Sequence, residues 1–119
     1  MAIKIPGVDV EKGLALYDDE EDIYLIVLRS YATNAPSVLD KLRSVSAETL
    51  ADYATSIHGV KGTSATIGAE ELNKTAAKLE AMAKAGDLSG ILAENEAFLK
   101  QADTLVANIK SWLDENDPD

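Results

Sequence analysis

The sequence contains no cysteine, which excludes disulfides, thiolate metal sites and cysteine nucleophiles. Proline occurs 3 times and glycine 7 times in 119 residues, too little punctuation for a chain of strands and tight turns. Strand-length alternation of apolar and polar residues is missing, and so are Asn-Gly and Asp-Gly hairpin signals. The longest strongly apolar run, Ile23 to Leu28, falls far short of the ~20 residues that a membrane span needs. The stretch Met1-Ala2-Ile3-Lys4-Ile5-Pro6-Gly7 lacks the apolar core of a signal peptide. These absences make a cytoplasmic location the expectation. Positive charge is also scarce: 11 Lys and Arg stand against 21 Asp and Glu, a net charge of −10. Such a balance argues against nucleic acid or an anionic membrane surface as partner, since both select for clustered Lys and Arg.

What remains is rich in helix formers. Alanine (18) and leucine (14) are the commonest residues, and the 46% apolar and 27% charged fractions are those of a globular chain. The length suits one domain, residues 1–119, with no repeat or linker. After an extended lead-in over 1–8, Asp9 caps a short helix over about 9–17 that carries Val10, Leu14 and Tyr17 on one side. Asp18-Asp19-Glu20-Glu21-Asp22 places acid at the start of a second helix, about 19–43, where it complements the macrodipole. The cluster lacks the glycine-containing loop spacing of a calcium site. The stripe Leu25, Leu28, Ala32, Ala35, Leu39, Leu42 keeps its phase across Pro36, which predicts one kinked helix rather than two.

Ser46 is the expected N-cap of a third helix, about 47–67, with Val45 and Leu50 in staple positions. Its stripe is Leu50, Tyr53, Ile57, Val60, Ser64 and Ile67, ended by Gly68. A helix over about 70–85 (Leu72, Ala76, Leu79, Met82 or Ala83) stops at Gly86. Asp87 then caps the last, about 88–114, with Ile91, Phe98, Ala102, Leu105, Ile109 and Trp112 inward, widened by Leu92, Leu99, Val106 and Leu113. Asn116 and Pro118 end the order. The expected fold is all-α: an up-and-down antiparallel four-helix bundle with a short extra N-terminal helix.

The single histidine, His58, lies in the middle of the third helix. At about 100° per residue it sits roughly 130° from the centre of the apolar stripe, so it should face solvent. Its neighbours on that face are Ala51, Ala54, Thr55, Gly62 and Ala65, all small, with Lys61 standing between them and the core. An exposed helix face normally carries long polar side chains, and Gly62 costs ~1 kcal/mol relative to Ala in a helix interior. A bare face around one imidazole suits the approach of another protein, with His58 entering the partner's site. Gly59 is as costly and has no such explanation. No carboxylate lies three or four residues from His58 on its own helix, and Lys61 favours the neutral ring. One histidine is too few ligands for a metal.

His58-Gly59-Val60-Lys61-Gly62-Thr63-Ser64-Ala65-Thr66-Ile67-Gly68 resembles the signature of histidine-containing phosphotransfer (HPt) domains of bacterial two-component phosphorelays. Ile5-Pro6-Gly7 through Leu14, and Leu79-Glu80 followed by Gly86-Asp87, resemble other parts of that family. Gly59 and Val60 depart mildly from its commoner residues. The resemblance implies that His58 accepts a phosphoryl group from a phospho-aspartate and passes it on, with Lys61 offering charge to the phosphoryl oxygens. The implied partners are receiver domains of response regulators or hybrid histidine kinases. Some members place a glutamine at the position of Glu80, and that role is not carried over. No cofactor is expected in this chain; the Mg²⁺ would belong to the receiver. The segment 59–63 lacks the order of a P-loop, so the chain is read as a monomeric phosphoryl carrier without an ATP site. Two alternatives stand beside this: a non-catalytic helical adaptor, and the phosphoacceptor bundle of a sensor kinase. The latter usually has an acidic residue after the histidine, where this chain has Gly59.

Overall fold

A computed structural model describes residues 3–116; Met1, Ala2 and the helix stop expected at Pro118 lie outside them. Five helices follow one another: α1 (Val10–Ala15), α2 (Glu21–Lys41), α3 (Leu50–Ile67), α4 (Glu70–Lys84) and α5 (Leu88–Asn116). Among the described residues there is no strand. Each of α2 to α5 packs on its neighbours in a closed ring, α2 on α3, α3 on α4, α4 on α5 and α5 on α2, while α1 leans on α2 and α3. The 29 residues of α5, at about 1.5 Å each, account for most of the 46 Å long axis.

Buried hydrogen bonds fix the directions. Tyr24 at the start of α2 donates its hydroxyl to the Ile67 carbonyl at the end of α3, at 2.7 Å, so the two helices run antiparallel. Asn95, early in α5, donates to the Leu42 carbonyl just past α2 and accepts from the Tyr53 hydroxyl of α3, both at 2.8 Å. Burial pushes the Tyr53 phenol up to about 12, so at neutral pH it serves as a donor. The predicted stripes form the core: Leu28, Ala32, Leu39 and Leu42 of the second helical segment, and Tyr53, Ile57, Val60, Ser64 and Ile67 of α3, are buried. Ser64 belongs there because its hydroxyl meets that of Tyr31 at 3.3 Å.

Local chemistry sets the boundaries. Asp9 caps α1 by accepting from the Lys12 amide at 3.2 Å. Pro36 sits inside α2 without dividing it. Gly68 takes φ 82°, which lets the Ala69 and Gly68 amides bond back to Ser64 and Ala65 and turns the chain straight into α4. A side chain there would strike the Asp9 carbonyl, because the Asp9 amide donates to Gly68 at 2.8 Å. Gly86 ends α4 in the same manner, and Asp87 caps α5 through the Gly90 amide at 2.9 Å.

Four local expectations are corrected. Asp18 and Asp19 adopt left-handed φ of 54° and 62° in a turn, leaving Glu21 and Asp22 alone in the first turn of α2. Ser46 does not cap α3; its carbonyl accepts from the Thr49 amide, closing a separate turn that delays the helix to Leu50. Tyr24 rather than Leu25 fills the start of the α2 stripe, since its hydroxyl reaches a carbonyl that leucine could not satisfy. Leu92 is exposed, because the α5 stripe passes from Ile91 to Asn95 and Phe98 and leaves it on the outer side.

Candidate functional site

On α3 the residues flanking His58, Ile57 and Val60, are buried, and this turns the imidazole outward. Its side chain is 65% exposed. On α4 the buried apolar residues are Leu72, Ala76, Leu79 and Ala83, alternately large and small. The alanines let α4 lie close against α3. Asn73 pins the pair by donating to the Lys61 carbonyl at 2.7 Å. Beside Leu79, the Glu80 side chain is only 6% exposed and points into the seam between the two helices.

Glu80 gathers the polar groups of that seam. One carboxylate oxygen, Oε1, accepts from the Lys61 ammonium at 2.6 Å. The other, Oε2, lies 2.6 Å from His58 Nδ1 and 3.3 Å from Lys84 Nζ, one turn further along α4. The hydrogen bond from Lys61 holds the carboxyl down to about 2, with those from His58 and Lys84 adding to it against the opposing effect of burial. Glu80 is therefore ionised at neutral pH and can only accept hydrogen bonds. The hydrogen between it and the ring must sit on Nδ1. In the neutral imidazole the lone pair then lies on Nε2, at the other edge of an exposed ring.

No carboxylate of α3 itself reaches His58, as its sequence neighbours at three and four residues indicate, yet the ring does have an acidic partner. The acid comes from the neighbouring helix, 22 positions on, where spacing along one helix does not reach. Lys61 is likewise no free surface charge: its side chain is 32% exposed and anchored on Glu80. Glu80 and Lys84 were the residues that sequence reasoning left without a role. The available signal was Glu80 next to Leu79, an acid at the edge of an apolar stripe.

The remaining expected residues line α3 as follows. Ala51, Thr55, Gly62 and Ala65 are exposed, and Ala54 is half-buried against the core. A side chain built on Gly62 or Gly59 would meet nothing within 4 Å, so neither glycine is imposed by packing. Ala65 also borders a shallow groove with Lys12, Ala15, Leu16, Gly68, Glu70 and Asn73. Leu16 stands there 61% exposed, a large apolar side chain that the sequence did not single out. Among the described residues no three His, Cys, Asp or Glu side chains gather as a metal site, and no helix is long and apolar enough to cross a membrane.

The family model described as the Hpt domain matches residues 27–112, more than two-thirds of the chain, including all of α3 and α4. It leaves out α1, the beginning of α2 and the last residues of α5. No curated protein and no solved structure matches the chain.

Proposed function

The chain belongs to the Hpt domain family, the phosphocarriers of two-component phosphorelays, and from that premise we propose that His58 is its phosphoacceptor, charged and discharged through Nε2 by receiver domains. The observation that carries this reading is the Nδ1 contact with Glu80 at 2.6 Å, which commits the ring hydrogen and leaves the outer nitrogen as nucleophile. The Nε2 lone pair attacks the phosphorus of a receiver's aspartyl phosphate. The N–P bond forms as the P–O bond breaks, and the aspartate leaves as a carboxylate. Nδ1 keeps its hydrogen, so the phosphorylated ring is an imidazolium whose positive charge faces Glu80. Because a protonated ring is a good leaving group, the same arrangement serves the return step onto a second receiver.

This chemistry asks mainly for position and charge. Lys61 holds Glu80 ionised and places an ammonium beside the ring. The Mg²⁺ and the aspartate belong to the receiver, which explains how a chain with so little catalytic apparatus can work. Gly62, Ala51, Ala54, Thr55 and Ala65 form the docking face, low enough for a partner to bring its phosphorus to Nε2. Leu16, beside Ala65, gives that face an apolar edge. A monomer suffices for this role, and a cytoplasmic location fits the partners. The test is incubation with phosphorylated receiver domains: label is expected on His58 as an acid-labile, base-stable adduct. Label on another residue overturns the assignment.

A further inference from the structure

Glu80 has more cationic partners than one carboxylate needs. Lys61 takes Oε1 at 2.6 Å, and Lys84 shares Oε2 with the His58 ring at the longer distance of 3.3 Å. The two lysines are held very differently. Lys61 lies in the helix seam, and withdrawing it would leave a buried carboxylate short of its main counter-charge, an expensive change. Lys84 is 67% exposed and pairs with Glu80 one turn away along the same helix, the kind of contact that contributes little and is readily given up. Other lysines of α4 are engaged elsewhere: Lys78 with Glu94 of α5 at 2.7 Å, and Lys74 with Glu71 at 3.8 Å.

The charges of the cluster do not cancel in the free protein. One carboxylate faces two ammoniums, so the cluster carries a surplus of at least one positive charge even before the ring is counted, in a chain whose net charge is −10. With a phosphoryl dianion on Nε2 and Nδ1–H retained, the ring and its phosphoryl group together carry one negative charge, and the balance closes. We infer that Lys84 is the ammonium that turns onto the phosphoryl oxygens when His58 is phosphorylated, while Lys61 stays on Glu80. The inference rests on His58 as phosphoacceptor. It divides two tasks between two lysines: Lys61 keeps the carboxylate charged, and Lys84 binds the transferred group. The phosphoryl oxygens are strong acceptors, so an exposed ammonium gains more by donating to them than to a carboxylate oxygen it shares with the ring.

The experiment uses the whole chain phosphorylated with phosphoramidate, a small donor that needs no docking. The phosphoryl titration is followed by ³¹P NMR, with ¹⁵N-labelled histidine separating the ring's own titration. Losing a cation from the phosphoryl oxygens raises their titration midpoint, so Lys84→Gln is expected to shift it up by about half a pH unit. Lys84→Arg should restore the wild-type value, and Lys61→Gln should move it less than Lys84→Gln does. An unchanged midpoint in Lys84→Gln, or a larger shift in Lys61→Gln, overturns the inference and leaves His58 as acceptor untouched. A wild-type protein that takes no phosphate on His58 overturns both. Circular dichroism of each variant checks that the helices remain, as an exposed lysine allows.

Discussion

At the scale of single residues, the chemistry turns on which nitrogen of His58 carries hydrogen. An ionised Glu80 decides that, and a neutral amide decides it less firmly because it can present either end. With a small phosphodonor, Glu80→Gln should therefore phosphorylate more slowly than wild type, and Glu80→Ala more slowly again. Equal rates in all three proteins would remove Glu80 from the site. His58→Gln should abolish acceptance altogether while shifting stability by no more than about 1 kcal/mol, the range of an exposed side chain that loses one hydrogen bond. Urea unfolding checks the second half of that statement; a collapse of the fold would mean that the ring is a structural group. The outward position of His58 was legible from its angle to the Ile57–Ser64 stripe. The Glu80 contact was not, because periodicity along one helix carries no information about what a neighbouring helix brings across.

At the scale of the helix, α3 carries a stable inner face and an unusually bare outer one. No neighbour lies where a Gly62 side chain would go, so Gly62→Ala should stabilise the bundle by up to ~1 kcal/mol. Gly62→Gln should not destabilise it either, yet its long side chain stands where a receiver would approach. Phosphorylation by receivers should drop while phosphorylation by phosphoramidate persists. Parallel losses with both donors would show damage at the imidazole instead of blocked docking. Asn95 makes the opposite case on α5. Asn95→Ala strands the Tyr53 hydroxyl and the Leu42 carbonyl and should cost about 1–3 kcal/mol in urea unfolding. A cost near zero would mean that water replaces the amide. The stripe Ile91, Phe98, Ala102 was visible in the spacing without Asn95, because a polar residue at an apolar position reads as a gap until its partners on two other helices are known.

At the scale of the whole molecule, ring order and helix count follow from phase, caps and short loops, and these were readable. Tyr24 and Tyr31 were not, since each is buried only because a carbonyl or a hydroxyl on α3 receives it. The α3–α4 seam that forms the site is also part of what holds the bundle together, and the acid limb of stability reports on it. Glu80 titrates at about 2 when folded against an ordinary 4.5, so its contribution is complete above about 4.5 and is lost as pH falls from there towards 2. Unfolding free energy should fall less steeply over that window in Glu80→Gln than in wild type. Matching slopes would contradict the linkage.

The most direct test of the central claim remains transfer itself, read at the level of the atom. Wild-type protein and His58→Gln are each mixed with phosphorylated receiver domains, and the product is examined by ³¹P and ¹⁵N NMR. The account predicts phosphate on Nε2 of His58, hydrogen retained on Nδ1, and no label on His58→Gln. Phosphate on Nδ1, or label that survives in His58→Gln, would contradict it.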